Sequence, residues 1–248
     1  MNLITIFQQH DQTKYPNSFF YFKKFLQFIE MPNRVIIVDN SKDMFDEYAY
    51  KNVTVLKSND DLWDFGAWQH GIDYVHQNNL SYDAILFVNE SHSAPGHNLL
   101  QNICTDDSVI KAIHSNDILG AKVNSYCNDV RIKDYIIKDF IRTNCFILSK
   151  KMIRELVTIW SVDHSFLDLC ISPGKTFPYF KDDAPLCDNL KKGFIYCLTK
   201  DWHSKFILYN DWDLFRMKSL ALMNEYLLSA RVKEVLNNDK FKSTIPSI

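Results

Sequence analysis

The chain contains few of the residues on which several large enzyme classes depend. Only six of its 248 residues are glycine, which counts against folds built on glycine-rich phosphate loops. The patterns G-x-S-x-G, H-E-x-x-H and G-x-x-x-x-G-K-[ST] are absent from the sequence. Nucleophile-elbow hydrolases, zincins and P-loop enzymes are therefore disfavoured.

The sequence also lacks a strong net charge and a long apolar run. The net charge is only −2, so no basic field indicates a nucleic-acid partner. No apolar run approaches the roughly 20 residues needed to span a bilayer. The N-terminus has no basic leader and no small-residue cleavage site, so we expect a first buried strand there rather than a signal peptide.

Closely spaced cysteines are missing as well. None of the six cysteines forms a C-x-x-C pair, and no cysteine–histidine spacing matches a zinc site. We expect reduced thiols of a cytosolic protein, several of them in the core. The six are Cys104, Cys127, Cys145, Cys170, Cys187 and Cys197.

Strand-like and helix-like segments alternate along the first half. Helical spacing of apolar residues predicts helices over Phe19–Ile29 and Phe65–Val75. Runs of apolar and β-branched residues predict strands at Ile4–Phe7, Val35–Val38, Val53–Leu56, Ala84–Val88, Ile118–Val123 and Cys145–Leu148. This alternation predicts an α/β fold with a mostly parallel central sheet flanked by helices.

The second half is less regular. Residues 161–185 contain several prolines and many aromatics, which is typical of a loop-rich section. Helical patterns cover Lys150–Trp160 and a longer segment from about Leu214 to Val235. No repeat or linker divides the chain, so we predict a single domain over residues 1–248.

Polar clusters stand where predicted strands end or a predicted helix begins. Asp39-Asn40-Ser41 follows one strand, Asn89-Glu90-Ser91 follows another, and Asp64 precedes a helix. Carboxyl ends of parallel strands meet at the edge where open sheets bind ligands. We expect the acids at 39, 64 and 90 to share one pocket there. The alternative is local: Asp-Asn-Ser is good turn chemistry, and Asp64 is a plausible N-cap.

The segment Asn59–Gly71 resembles a motif of polysaccharide transferases, Asn-x-Gly-x-Asp-x-x-Ala-x-x-x-Gly. The matching residues are Asp64, Gly66, Ala67 and Gly71. Together with the two strand-end clusters, the segment resembles glycosyltransferases of the GT-A type, nearest to family 2 and rhamnan-synthesis-like bacterial enzymes. The resemblance implies a single GT-A domain. It assigns the nucleotide-sugar-binding half to residues 1–125 and the acceptor-binding half to 126–248.

The resemblance assigns the donor site to residues from all three clusters. Small residues at the start of this helix would let the helix lie close to the nucleotide. The free backbone N–H groups at that end favour binding of an anionic diphosphate. The alternative for this segment is an amphipathic helix with Trp63 and Trp68 in the core. The implied donor-site residues are Asp39, Asn40, Asp64, Gly66, Ala67 and Asn89.

Asn89-Glu90-Ser91 stands where such enzymes carry an Asp-x-Asp metal motif. The resemblance implies that Glu90 and Ser91 hold a divalent cation, Mg²⁺ or Mn²⁺, which neutralises the departing diphosphate. Glu90 is the only acid of the motif, which weakens the metal prediction. For the nearby His92 and His97 we favour ordinary loop positions.

Inverting transfer needs a general base to take the proton of the acceptor hydroxyl. By resemblance, Asp183 is the first choice, Asp182 the second and Asp188 a distant third. Adjacent acids before a helix are also ordinary N-caps, and a retaining enzyme would need no such base.

The acceptor side is implied by weaker similarities. Arg142-Thr143-Asn144 resembles a stretch that lines the acceptor side in relatives. Asp201-Trp202-His203 and Trp212 could supply a lid or a sugar-stacking platform, although aromatic core positions are their ordinary role.

The resemblance implies a hexosyltransferase-like enzyme that uses a nucleotide-diphospho-sugar and a glycan or lipid-linked acceptor. Its pathway would be bacterial surface polysaccharide synthesis, lipopolysaccharide or capsule. We expect it in the cytoplasm without a nucleic-acid partner, and peripheral association with the inner face of the membrane stays open. One alternative is a catalytically silent GT-A-fold glycan-binding or scaffolding protein. Another is a sugar nucleotidyltransferase, although Gln8-Gln9-His10-Asp11 stands where its glycine-rich loop should be.

Overall fold

The computed structural model describes most of the chain. The described residues are 1–10, 15, 17–40, 53–58, 62–93, 105–124, 130–173, 179–196 and 211–243. The strands are β1 Leu3–Gln9, β2 Asn33–Asp39, β3 Val53–Lys57, β4 Ala84–Asn89, β5 Leu119–Asn124, β6 Val130–Ile132, β7 Tyr135–Ile137 and β8 Asp139–Ser149. The helices are α1 Ser18–Leu26, α2 Asp64–Gln77, α3 Asp106–Ser115, α4 Lys150–Leu156, α5 His164–Cys170, α6 Asp188–Tyr196 and α7 Trp212–Ser243.

Six strands form the central sheet in the order β3-β2-β1-β4-β8-β5. The first four strands along the chain pair in parallel. β8 is antiparallel to both of its neighbours, so it alone runs against the other five. The predicted α/β fold with a mostly parallel central sheet flanked by helices is therefore confirmed. β6 and β7 form a separate two-stranded hairpin.

The strand order reverses between β1 and β4. The chain first proceeds outward from β1 through β2 to β3, and then α2 carries it back to β4 on the other side of β1. In open α/β sheets, the crevice beyond the carboxyl ends of two such strands is where ligands bind. This topology therefore predicts a ligand-binding crevice beside the residues that follow β1 and β4.

The two faces of the sheet have separate cores. On β1, Leu3 and Phe7 pack on the side of α1 and α3, which we call the α1 face. Ile4 and Ile6 pack on the side of α2, α4 and α7, which we call the α2 face. Side chains alternate between faces along a strand, so neighbouring residues at a strand end point to different cores.

The 32-residue helix α7 connects the sheet to the second half of the chain. Its first part packs with the β6–β7 hairpin, α5 and α6 in a third core, and Leu228 and Val232 belong to the core of the α2 face. The buried Asn224 side chain accepts hydrogen bonds from the backbone N–H groups of Ser161 and Val162, and so fixes that connection to the helix.

The described part of residues 161–185 is loop-rich, as predicted, and it includes the short helix α5, which Asp163 caps by accepting a hydrogen bond from Phe166 N. Asp182 and Asp183 are not N-caps, because they lie in an exposed turn and α6 begins only at Asp188. Within the described residues, no helix combines the length and the apolar character needed to cross a bilayer.

Candidate functional site

A cleft opens beyond the carboxyl end of β4, on the α2 face. The space between its walls is about 690 Å³ when the open solvent at the mouth is included. Four elements of the chain meet there: the start of α2, the residues after β4, the first half of β8 and one side of α7. The lining residues are Trp63, Asp64, Phe65, Asn89, Ser91, Phe140, Arg142, Thr143, Asn144, Lys218, Ala221, Leu222 and Glu225.

The start of α2 is built around Trp63 and Asp64. Trp63 has φ 57° and ψ −138°, a conformation that bulky residues rarely adopt and that occurs preferentially at functional sites. Its ring lies 4.5 Å from the His10 ring, centroid to centroid, and Lys218 Nζ lies 4.2 Å from its centroid. The aromatic ring therefore contacts a histidine and a lysine at the edge of the cleft.

Asp64 is the first residue of α2, and its side chain does not cap the helix. Instead, Asp64 Oδ2 accepts a hydrogen bond of 2.7 Å from Asn89 Nδ2. Burial raises the pKa of the Asp64 carboxyl, and Lys218 opposes that rise more than any other group. The hydrogen bond joins two predicted donor-site residues at one point in the cleft.

One side of α7 supplies the opposite wall. Lys218, Ala221, Leu222 and Glu225 recur at helical spacing, so they form a continuous stripe over two turns. The small Ala221 side chain lies between the two charged residues. Lys218 and Glu225 were not predicted as site residues from the sequence.

Glu225 is a carboxyl group held at one oxygen. Oε1 accepts hydrogen bonds from Thr143 N at 2.8 Å and Thr143 Oγ1 at 3.4 Å. Burial raises the pKa of Glu225 to about 7. The bonds from Thr143 and the charge of Arg142 oppose that rise, whereas the charge of Asp64 adds to it. A carboxyl group with such a pKa can exchange a proton near neutral pH.

Arg142 and Lys218 give the cleft two cationic side chains. Arg142 has no hydrogen-bond or ion-pair partner among the residues that the structure describes, although it interacts electrostatically with Glu225. An arginine with unused donors can form a bidentate contact with a phosphate or carboxylate. The cleft therefore offers a binding position to an anion.

Glu90 faces away from this cleft, towards the end of β1. Glu90 Oε2 accepts hydrogen bonds from Gln9 Nε2 at 2.6 Å and from His10 N at 3.0 Å. Gln9 follows Phe7 by two residues, so these contacts lie on the α1 face. Glu90 is only 5% exposed, and its carboxylate joins the turn after β4 to the end of β1.

Asp39 ends β2 on the same face, two residues after Ile37. Its carboxylate forms an ion pair with Lys57 on β3 at 3.3 Å. The neighbouring Asn40 Oδ1 is buried and has no hydrogen-bond partner among the described residues. Of the three acids expected in one pocket, only Asp64 lines the described cleft, while the donor-site roles of Asp39 and Asn40 stay predictions.

The Asn89-Glu90-Ser91 segment does not present a set of free metal ligands. Asn89 Oδ1 accepts hydrogen bonds from Ser91 N and Ser91 Oγ, and Glu90 Oε2 is occupied as described above. No group of three or more His, Cys, Asp and Glu side chains within the described parts of the chain could hold a metal ion. These residues do not fit a divalent cation in this arrangement. The cation remains an expectation from the resemblance.

Small residues in α2 serve its packing. A Cβ atom at Gly71 would lie 2.7 Å from Ile6 Cγ2, so this glycine lets α2 approach β1 closely. Gly66 and Ala67 are buried in the same helix, and Trp68 is fully buried in the core of the α2 face. The alternative interpretation of this segment as a core helix is therefore correct in part, while the donor contacts of Gly66 and Ala67 stay predictions.

The predicted bases lie outside the residues that line the cleft. Asp182 and Asp183 are exposed in a turn, where the Asp182 carbonyl accepts a hydrogen bond from Lys191 Nζ. Asp188 is exposed at the start of α6 and pairs with Lys191. Trp212 Nε1 donates to Ser172 O, which holds the indole in the third core. Ser41, Asn59, His97 and 201–203 lie outside the described residues.

A signal for Glu225 exists in the sequence. It is the only acid between Leu214 and Lys233, within a largely apolar helix, and a lone buried carboxyl often marks a functional position. Lys218 lies two turns earlier on the same side. The sequence could not show that this side faces Asp64, because the two segments are about 150 residues apart.

No family model matches the chain, and no curated protein is similar to it in sequence. Among solved structures, it is similar to 4-diphosphocytidyl-2C-methyl-D-erythritol synthase, with a TM-score of 0.43 and 12% identity over 66% of this chain and 81% of that one. It is also similar to the glycosyltransferase GlyE of Streptococcus pneumoniae TIGR4, with a TM-score of 0.34 and 9% identity over 92% of this chain and 51% of that one.

Proposed function

We propose that this protein is a glycosyltransferase that moves a sugar from a nucleoside diphosphate to a hydroxyl group of a glycan or lipid-linked acceptor. The observation that carries the proposal is the charge arrangement in the cleft at the β1–β4 reversal. Two cations, Arg142 and Lys218, face the same space as two partly exposed carboxyl groups, Asp64 and Glu225. A donor of this class has an anionic diphosphate joined to a neutral, hydroxyl-rich sugar, and both parts need partners.

The cations supply the partner for the diphosphate. Guanidinium and ammonium donors form short, charge-assisted hydrogen bonds with phosphate oxygens. Lys218 extends from α7 and Arg142 from β8, so they would reach the phosphates from two walls of the cleft. They would also stabilise the negative charge that grows on the leaving nucleoside diphosphate during transfer.

The remaining groups suit a sugar and a nucleoside. Asp64, held by Asn89, can accept hydrogen bonds from sugar hydroxyls, and the Trp63 ring offers a flat surface for stacking. Next to Asp39, the buried Asn40 Oδ1 could accept a hydrogen bond from a nucleobase N–H. The predicted nucleoside contact of Asp39 would complete that side. A pathway in surface polysaccharide synthesis at the inner face of the membrane belongs to the same proposal.

The donor class can be tested by thermal shift with UDP, GDP, CMP and dTDP, each with and without Mn²⁺. A ligand that binds only the folded state raises the melting temperature, so one nucleotide should give a clear increase. Arg142→Ala should reduce the affinity for that nucleotide about tenfold, equivalent to about 1.4 kcal/mol. Arg131→Ala, an exposed arginine on β6, is the matched control and should bind as the wild type does.

Two outcomes would favour other functions. Binding of a glycan without nucleotide binding or turnover would support the silent scaffold, which the internal hydrogen bonds of Asn89 and Glu90 also favour. Formation of a nucleotide sugar from a sugar phosphate and a nucleoside triphosphate would support the nucleotidyltransferase. If no nucleotide shifts the melting temperature, the proposal fails.

A further inference from the structure

We propose that Glu225 is the general base of the transfer reaction, accepting the proton of the acceptor hydroxyl at its Oε2 atom. This inference rests on the glycosyl transfer proposed above, and it assigns the role to a residue other than the predicted Asp183 and Asp182. It follows from the position of Glu225 in the cleft and from how its carboxyl group is held.

The carboxyl group is oriented, with one oxygen left for a substrate. Thr143 binds Oε1 through both its backbone N–H and its hydroxyl. Oε2 has no hydrogen-bond partner in the described portion of the chain. Since Glu225 is among the residues that line the cleft, the open oxygen can be reached by a bound hydroxyl group.

Charged groups from two neighbouring elements, β8 and α2, act on Glu225. Arg142 on β8 favours its ionised form, and Asp64 on α2 disfavours it. Lys218, two turns earlier on α7, interacts with Asp64. Glu225 thus interacts with Arg142, which is assigned to the diphosphate, and with Asp64, which is assigned to the sugar. An acceptor hydroxyl bound at Glu225 Oε2 would therefore be close to the donor.

The step balances without a further reactant. The acceptor oxygen forms a bond to the anomeric carbon while its proton passes to Glu225 Oε2. The bond between the anomeric carbon and the phosphate oxygen breaks, and its electron pair leaves with the nucleoside diphosphate. Arg142 and Lys218 stabilise that leaving charge. The proton on Glu225 then returns to solvent through the open mouth of the cleft.

Glu225→Gln is the decisive variant, because the amide oxygen can still accept the hydrogen bonds from Thr143. The assay measures release of nucleoside diphosphate from UDP-glucose, GDP-mannose and dTDP-glucose, with water as acceptor. We expect kcat to fall about 10²- to 10⁴-fold, with an unchanged thermal shift by the nucleoside diphosphate. In the wild type, kcat/KM should decrease below about pH 7, and this decrease should be absent in the variant.

Two further variants provide controls. Glu234→Gln alters another α7 carboxyl that accepts a hydrogen bond, from Tyr135, away from the cleft, and should keep wild-type kcat. Glu225→Asp keeps the charge but shortens the side chain, so it should retain more activity than Glu225→Gln and preserve the dependence on pH. A purely structural role would not produce that pattern.

The outcomes separate the inference from the proposed function. If no nucleotide binds and no donor is hydrolysed by the wild type, the proposed function fails and the inference fails with it. If the wild type binds and turns over a donor but Glu225→Gln keeps its kcat and pH profile, only the inference is overturned. If Asp183→Asn loses activity while Glu225→Gln keeps wild-type kcat, the general base is Asp183, as predicted from the sequence.

Discussion

Acidic side chains at the same edge of the sheet behave differently on its two faces. On the α1 face, Glu90 is held by Gln9 and His10, and Asp39 pairs with Lys57. On the α2 face, Asp64 and Glu225 line an open cleft together with two cations. Glu90 and Asp39 therefore join strand ends to one another. Asp64 and Glu225 instead line a space in which a ligand could contact their carboxyl groups.

The difference shows that an acid at a strand end is not by itself evidence of a binding site. Buried carboxylates need hydrogen bonds or counter-charges, and Glu90 obtains its hydrogen bonds from the end of β1. Glu225 obtains only part of this compensation, so burial raises its pKa to about 7. Incomplete compensation, rather than acidity alone, distinguishes the groups available for chemistry.

The strongest expected effect on stability comes from the α1 face. Glu90→Ala removes the acceptor of two donors, Gln9 Nε2 and His10 N, and should lower the free energy of unfolding by about 3 kcal/mol. Urea denaturation measures this loss. As a control, Glu155→Ala alters an exposed acid on α4 and should change the free energy of unfolding by less than about 0.5 kcal/mol. Unchanged stability with abolished nucleotide binding would instead make Glu90 a ligand-binding residue.

On the α2 face, pH should reveal the incomplete compensation of Glu225. Its pKa rises from 4.5 to about 7 on folding, so between these values the unfolded chain releases a proton that the folded chain retains. Wild type should therefore lose stability relative to Glu225→Gln as pH increases from 4.5 to about 7, and the difference should be constant above about pH 8.

We expect that relative loss to be about 1 to 2 kcal/mol, because contact with solvent in the cleft weakens the effect. Denaturation of both proteins across this pH range provides the measurement. A difference that does not vary with pH would mean that the Glu225 carboxyl is as well compensated as Glu90.

The smallest effect should come from the ion pair at the end of β2. Lys57 is 43% exposed, so Lys57→Ala should reduce the free energy of unfolding by less than about 1 kcal/mol. In 1 M NaCl the difference should nearly vanish, because salt screens exposed charges. A loss above about 2 kcal/mol that persists in salt would contradict this prediction. It would show that the ion pair between Lys57 and Asp39 behaves as a buried pair, which salt does not screen.

Much of the fold could be predicted because it depends on local patterns. Runs such as Val35–Val38 and Ala84–Val88 have the length and composition of buried strands, and all six predicted strands are present. The helical spacing in Phe65–Val75 likewise predicts α2. The short helix α5 was missed because the prolines and aromatics around it suggest loop, and Asp163 was not recognised as its cap.

The candidate site was predictable only in part. Asp64 and Asn89 do meet in the cleft, because the end of β4 lies beside the start of α2. Asn89 and Glu90 are neighbours in sequence but face different cores. Which core each residue faces is determined only when the strands pair in the sheet. Glu225 and Lys218 were missed because no local pattern connects α7 with α2.

The strands, most of the helices and the mostly parallel sheet can be predicted from the amino-acid sequence alone. These follow from the spacing of apolar residues, a property of each segment alone. Which charged groups line the same cleft, and which are neutralised by neighbours, depends on the folded chain. That outcome depends on the order of the strands and on the face of α7 that packs against β8, contacts that form only when distant segments fold together.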